Sequence, residues 1–151
     1  FRRNAFIGEK NLENFSYIHS ALKKNVGKLG VLLSLDTTKS KSEILDFGKK
    51  LAMQIAASSP LAIDRGDLDQ NILQKEKEII MEELKNSGKD TKIVEKIAIG
   101  KLNKFIADNT LLNQEWIMEP KRKVKDVLKE VAGSDNIKIK QYIRFKVGEG
   151  V

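Results

Sequence analysis

The spacing of apolar positions predicts strands near the two ends of the chain and helices between them. Asn14–His19 alternates between apolar and polar residues, and Leu29–Leu35 is a compact apolar run of strand length. Phe1–Ile7 mixes apolar and basic residues and is also predicted to be a strand. Asn and Gly within Lys23–Lys28 suit a turn, so Asn14–His19 and Leu29–Leu35 on either side of it are expected to pair antiparallel.

Helical spacing starts near Ser40, where Ser40 and Glu43 fit a capping box. In such a box the serine hydroxyl and the glutamate carboxylate satisfy each other's backbone amides. Pro60 is expected to end this helix. Its apolar face is formed by residues three or four positions apart, namely Ile44, Phe47, Leu51 and Ile55.

Two longer helices are predicted next, joined by a short connection. Asp69 and Asp90 are placed to cap them, and Ser87-Gly88 suits the end of the first. A connection this short makes the helices antiparallel, so we expect a projecting helical hairpin, or coiled coil, over about residues 68–108. Gly100 lies inside the second helix, where we expect it to allow a close backbone approach.

The end of the chain predicts a short helix over Val124–Val131, a turn at Gly133–Asn136 and a strand over Ile137–Val147. Apolar residues alternate with basic ones along this strand, which predicts a half-buried strand with a cationic outer face. Strands near both ends with helices between them imply an α+β fold in which the last strand joins the first two. The basic residues of that face are Lys138, Lys140, Arg144 and Lys146.

Composition limits the chemistry that the chain can perform. The 151 residues are enough for one domain, and they include no cysteine and a single histidine, His19. Thiolate catalysis, zinc–thiolate sites and paired-histidine metal sites are therefore excluded. Asp46-Phe47-Gly48 matches a kinase triplet but lies in a predicted helix, without the phosphate loop or catalytic loop that kinases need. We expect no catalytic residue, no cofactor and no metal, and hence not an enzyme.

The net charge of +7, from 28 basic and 21 acidic residues, favours an acidic partner, and nucleic acid is the first candidate. The lysines are spread along the chain rather than concentrated. Their small clusters are not interleaved with aromatic residues as in an RNA-binding sheet. A solubilising surface is therefore the plainer interpretation. An RNA-binding module that uses the cationic strand face, and a homodimeric scaffold built on the helical hairpin, stay open as alternative functions.

Several stretches taken together resemble one known family, in order and over nearly the whole chain. The first are Ser16–His19 and Gly27–Leu33, which are similar to that family's Tyr-x-His and Lys-Ile-Gly-Val-Leu-Val segments, with a spacer like that of alphaproteobacterial members. The others resemble its Ile-Ala-Met-His-Ile-Ala-Ala helix end, second hairpin arm, Leu-Leu-x-Gln-Pro-Phe segment and closing strand, and they are Leu51–Pro60, Val94–Phe105, Leu111–Pro120 and Ile143–Gly150. The family that these stretches resemble is elongation factor Ts.

This resemblance implies an α+β domain with a three-stranded antiparallel sheet and a projecting coiled coil. It implies binding to elongation factor Tu and guanine-nucleotide exchange in protein synthesis, without a cofactor. Residues 1–151 would be the C-terminal core domain, its hairpin inserted at about 68–108. An aromatic residue flanked by apolar ones outside the periodic elements also suits an interface anchor. The alternatives are that Trp116 covers the local core and that His19 is a residue at the edge of the sheet. The residues expected to hold elongation factor Tu are His19, Gln114, Trp116, Ile117 and Met118.

The sequence departs from the family pattern in ways that affect this expectation. The family's N-terminal three-helix domain and its first core repeat, with the Thr-Asp-Phe-Val motif that acts near the nucleotide, are not found. The chain starts at Phe1 without an initiator methionine, so we interpret it as a trimmed or partial chain. Gln54 replaces a family histidine, and Glu115-Trp116 replaces Pro-Phe. A bacterial cytoplasm is the expected location, with an organelle as the alternative.

Overall fold

The computed structural model describes residues 3–85 and 90–149 and divides the chain into two compact units. The first unit comprises Phe1–Ser59 and Glu115–Val151, and the second comprises Pro60–Gln114. Among the described residues, the first contains three strands and two α-helices, and the second contains the other two α-helices. In chain order the elements are β1 (Leu12–Lys23), β2 (Val26–Thr37), α1 (Leu45–Ser58), α2 (Gln70–Lys85), α3 (Thr91–Asn109), α4 (Val124–Ala132) and β3 (Ile137–Lys146).

The sheet of the first unit is antiparallel with β2 in the centre. Residues directly opposite one another in an antiparallel pair lie on the same face of the sheet. Phe15 faces Leu33 and Tyr17 faces Val31, so these four side chains share one face. The α+β fold, with its last strand joined to the first two, is therefore confirmed. This face forms the core with α1, where Leu33, Leu35, Ile44, Leu51 and Ile55 are fully buried.

Helix α1 approaches the sheet closely because a glycine faces it. A Cβ atom placed on Gly48 would lie 2.5–2.6 Å from three carbons of the Phe15 ring, closer than packed atoms tolerate. The prediction that Phe47 packs in the core is confirmed, since Phe47 and its neighbour Gly48 are both buried. The helix ends at Ser58, and Ser59 takes a left-handed conformation before Pro60.

The start of α1 differs from the predicted capping box. The Ser40 amide donates to the Glu43 carboxylate at 2.9 Å, as expected, but the Ser40 hydroxyl donates to the same carboxylate at 2.7 Å. The helix itself begins at Leu45 after a turn over residues 41–44. The two hydrogen bonds from Ser40 lower the pKa of Glu43 because they stabilise its charged form.

The second unit is a helical hairpin with its own small core. Ala62, Leu68 and Ile106 are buried there, with Leu73, Leu102 and Phe105 packed against them, so the start of α2 lies beside the end of α3 and the helices are antiparallel. The Asp69 and Asp90 carboxylates accept from the amides of Asn71 and Lys92 as predicted. The expected helix end at Ser87-Gly88 lies outside the described residues.

Two predictions about strands were wrong. Residues 3–7 form no strand; the Arg3 guanidinium instead lies 4.6 Å from the centre of the Phe145 ring. In β3 the alternation changes phase, because the pairing with β2 shifts register between Ser34 and Leu35. Residues 137 and 139 therefore lie on the same face as 142, 144 and 146. The register places Lys138 and Arg144 on opposite faces, so the four basic residues do not form one cationic face.

The expectation for Gly100 was also wrong. Apart from its own helix backbone, no heavy atom of the described residues lies within 4 Å of the position that a Gly100 Cβ would occupy, so no close approach by another element requires this glycine. Gly48 and Gly100 thus form a matched pair: both lie inside helices, but only Gly48 has a neighbour that excludes a side chain.

We expect Gly48→Ala to lower the free energy of unfolding by about 1–3 kcal/mol, because overpacking at Phe15 outweighs the better helix propensity of alanine. Gly100→Ala should raise it by up to about 1 kcal/mol. Urea titration followed by circular dichroism checks both values. Equal effects of the two substitutions would contradict the close contact between α1 and β1.

The lowered pKa of Glu43 predicts a dependence on pH. A carboxyl whose pKa is lower in the folded state stabilises the fold above its unfolded pKa, and loses that contribution as the pH falls through the folded value. Ser40→Ala should move the pKa of Glu43 back towards its ordinary value of 4.5, because the largest cause of the shift is removed. Carboxyl titration by NMR measures this, and an unchanged Glu43 pKa would contradict the assignment.

Candidate functional site

An apolar groove of about 310 Å³ opens on the first unit between β1, α1 and the loop that follows the helical hairpin. Strand β1 contributes Tyr17 and His19, and the loop contributes Ile117. The helix contributes residues at positions i, i+3 and i+4, which place three side chains on one helical face. These three residues are Met53, Ala56 and Ala57. The small alanine side chains leave the space that a larger residue would fill.

The loop that carries Ile117 is closed at its base by a short antiparallel bridge between Glu115 and Lys123. The Trp116 amide donates to the Arg122 carbonyl at 2.7 Å, and the Glu119 amide donates to the Trp116 carbonyl at 3.0 Å. Arg122 forms ion pairs with Glu119 and Glu130, which raise its pKa. The tip of the loop is therefore held in a defined conformation while its side chains point outwards.

Gln54 attaches this loop to α1. Its side chain is fully buried, its Oε1 accepts from the Ile117 amide at 2.8 Å, and its Nε2 donates to the Glu115 carbonyl at 3.1 Å. A buried side-chain amide that bonds two backbone groups of another segment holds that segment in place. If the segment moved away, these buried groups would lose their hydrogen bonds, which costs free energy. Gln54 was noted in the sequence only as a departure from the family, and nothing local to it indicated this role.

Tyr17 and His19 form the polar edge of the groove. The Tyr17 hydroxyl lies 3.0 Å from Nδ1 of His19, within hydrogen-bond distance, and their rings are 6.1 Å apart. Both residues lie on the same face of β1, two positions apart. The bond restricts the orientation of the imidazole and leaves Nε2 outside this contact, on an exposed side chain. A polar group of a bound partner could therefore be recognised beside the apolar groove.

The five residues predicted as the docking site separate into exposed and buried ones. His19 is exposed, and Ile117 and Met118 are 42% and 39% exposed, so these three offer contact area. Trp116 is only 4% exposed and stacks on Phe47 with ring centroids 6.0 Å apart. Gln114 is buried in the second unit, where its amide donates to the Asp108 carbonyl. Neither Trp116 nor Gln114 can be a surface anchor in this conformation, because packing and hydrogen bonding turn both side chains inwards.

Of the basic residues expected to bind RNA, Arg144 is paired within the first unit. The Arg144 guanidinium pairs with the Glu149 carboxylate at 2.8 Å and donates to the Ala56 carbonyl at 3.3 Å. Its charge is therefore used inside the first unit, next to α1.

Within residues 3–85 and 90–149, no group of three or more potential ligand side chains is arranged to hold a metal ion. None of the helices described is long and apolar enough to cross a membrane.

A small antiparallel sheet covered on one face by a helix, a separate unit formed by a helical hairpin, and an apolar groove together define an α+β protein with a surface suited to a protein segment. Comparison with known proteins identifies the family to which the chain belongs. The model of the family described as Elongation factor TS matches residues 1–149. The chain therefore belongs to the elongation factor Ts family, as the resemblance in its sequence predicted.

Individual relatives agree with this assignment. The chain is 39% identical to elongation factor Ts of Bartonella tribocorum over 153 residues, covering 100% of this chain and 50% of the relative. It is 39% identical to that of Erythrobacter litoralis, covering 89% and 44%. It is 39% identical to that of a Thermoanaerobacter species, covering 90% and 67%. The chain thus spans about half the length of the first two relatives.

Replacing Gln54 by leucine should release the loop from α1. The Ile117 amide and the Glu115 carbonyl would lose their partners, so we expect the free energy of unfolding to fall by about 1–3 kcal/mol. Amide hydrogen exchange should show loss of protection at Ile117. The Ser59 amide, which donates to the Ile55 carbonyl, is the internal control and should keep its protection. Unchanged protection at Ile117 would show that Gln54 does not position the loop.

Proposed function

We propose that this chain binds elongation factor Tu through the groove between Tyr17, His19, α1 and Ile117, and that it contributes in this way to guanine-nucleotide exchange in translation. The observation that carries the proposal is the pairing of an open apolar groove with a loop whose backbone is fixed by Gln54. A surface that is ordered before binding loses less conformational entropy when a partner docks. Membership of the elongation factor Ts family supports the choice of partner.

The contacts proposed here follow the exposure of the side chains. His19, Ile117 and Met118 would touch elongation factor Tu, with Met53 and Ala57 also lining the groove. Methionine and isoleucine side chains adapt to an apolar surface, and the imidazole adds one directional hydrogen bond. Trp116 acts indirectly, because its packing on Phe47 holds the loop on which Ile117 and Met118 lie.

Exchange requires only differential binding. A protein that binds nucleotide-free elongation factor Tu more tightly than the GDP-bound form favours GDP release, and GDP must then weaken its binding by the same factor. No covalent bond is made or broken, so this role needs no catalytic residue and no cofactor. We infer that the chain acts as an exchange factor of this kind and not as an enzyme.

We further infer that residues 1–151 correspond to the C-terminal core domain, with the helical hairpin of about residues 68–108 inserted into it. Because the chain spans about half of its first relatives, other parts of those proteins would provide contacts near the nucleotide. The bacterial cytoplasmic location and a possible homodimer stay predictions. The cationic strand face on which the RNA-binding alternative depended does not form, since Lys138 and Arg144 lie on opposite faces of β3.

Truncating Ile117 should weaken the complex. We expect Ile117→Ala to raise the Kd for nucleotide-free elongation factor Tu by about tenfold, because the loss of about 1.4 kcal/mol at a central anchor residue corresponds to that factor. Leu45→Ala is the matched control, since Leu45 is 40% exposed on the same unit but lies at the other end of α1. Titration calorimetry measures both variants. A loss of affinity no larger for Ile117→Ala than for Leu45→Ala would reject the groove as the docking site.

The chain alone should accelerate GDP release only weakly, because the region proposed to act near the nucleotide is not part of it. Release of fluorescent GDP from elongation factor Tu, with and without saturating chain, measures this. A full-length relative serves as the positive control. Exchange by residues 1–151 at the rate of the full-length protein would contradict this division of roles, while leaving the docking surface itself intact.

A further inference from the structure

The turn between β1 and β2 extends past the end of β3. Strand β3 pairs with β2 only over Leu29–Thr37, with one further hydrogen bond from the Val147 amide to the Lys28 carbonyl. Residues Ser20–Lys28, here called the hairpin tip, therefore lack a third strand beside them. The tip begins directly after His19, which lines the groove. At about 3.3 Å per residue, Lys23 lies about 13 Å or less from His19 along the strand.

The tip exposes an apolar side chain by means of a β-bulge. The pairing of β1 with β2 shifts between Ala21 and Lys23, which leaves Leu22 without a partner in the ladder. Leu22 is 74% exposed, and Ser20 and Asn25 take left-handed backbone conformations on either side of it. Bulges commonly redirect a side chain at the edge of a sheet, and this one directs a leucine into solvent.

The tip is also basic. It contains three lysines, Lys23, Lys24 and Lys28, and no acidic residue. Within the described residues, no carboxylate lies within ion-pair distance of any of these lysines. Three charges without internal partners, next to an exposed leucine, form a surface suited to an acidic partner that also has an apolar patch.

The tip is held at its base. A Cβ atom on Gly27 would overlap the Ile18 side chain and would lie 2.8 Å from the His19 carbonyl oxygen. The base of the tip therefore packs directly against the part of β1 that carries the groove residue His19.

From these features we propose that the hairpin tip contacts a carboxylate-rich protein surface on the same partner that occupies the groove, and that it accelerates the association. This inference rests on the proposed function, because it assumes that the groove is occupied. A protein surface is favoured over RNA because the tip has no aromatic residue to stack on bases, whereas Leu22 and Val26 provide apolar contacts. Lysines placed beside a docking site raise the association rate more than they slow dissociation.

The test is the salt dependence of association with elongation factor Tu, measured by stopped flow on the 151-residue chain. One variant carries Lys23→Glu, Lys24→Glu and Lys28→Glu. The matched control carries Lys10→Glu, Lys138→Glu and Lys140→Glu, which changes the net charge equally at the opposite end of the sheet. At low salt we expect the tip variant to associate at least fivefold more slowly than the control. Near 1 M salt, where the Debye length is about 3 Å, this difference should fall below about twofold.

Equal association rates for the two variants at low salt would overturn the proposal. A second variant, Leu22→Ser, tests the apolar contact without changing the charge: faster dissociation, by about threefold or more, supports the proposal, and an unchanged rate contradicts the role of Leu22. Tighter binding of a single-stranded RNA oligonucleotide by the wild type than by the tip variant, with no difference for elongation factor Tu, would also overturn it.

Failure of the proposed function gives a different result. In that case the wild-type chain shows no association with elongation factor Tu at any salt concentration, and Ile117→Ala has no effect to measure. If the wild type binds and Ile117→Ala weakens binding while the tip variant behaves like the control, the groove is retained and only the role of the tip is rejected. Circular dichroism spectra of all variants check that each is folded.

Discussion

The close packing of α1 on the sheet is the constraint on which the rest of the first unit depends. It is possible because Gly48 presents no side chain to the Phe15 ring. This contact determines how far the later turns of α1 lie from β1, and so it determines the width of the groove beside Tyr17 and His19. It also brings Gln54 to the position from which its amide reaches the loop. A bulkier residue at position 48 would move all of these features together.

The groove combines residues from distant parts of the sequence, and each part is fixed by a different interaction. β-pairing fixes Tyr17 and His19, helical spacing fixes Met53, Ala56 and Ala57, and a buried amide fixes the loop. Trp116 is buried and stacks on Phe47. The proposed docking surface therefore depends on buried residues beneath it, since Gln54 and Trp116 hold the loop that carries Ile117.

The basic side chains also differ in whether the fold itself uses their charge. Arg144 and Arg122 are held by carboxylates within the fold, so their charges stabilise local structure. The lysines of the hairpin tip have no such partners among the described residues. A net charge of +7 is therefore a poor guide to function by itself, since it does not distinguish a paired arginine from a free lysine. The surroundings of each group decide which charges are available to a partner.

Periodicity, caps and resemblance were sufficient to predict the α+β class, the antiparallel order of the helices and the elongation factor Ts family. These properties depend on local spacing and on ordered matches along the chain, which a sequence displays directly. The sequence also indicated His19, Ile117 and Met118, although whether they bind elongation factor Tu stays a prediction. It failed for β3, because the register shift opposite Ser34 and Leu35 depends on the neighbouring strand. Only the tertiary structure decided that Trp116 and Gln114 face inwards and that Gln54 holds the loop, since burial and long-range hydrogen bonds depend on residues far apart in the chain.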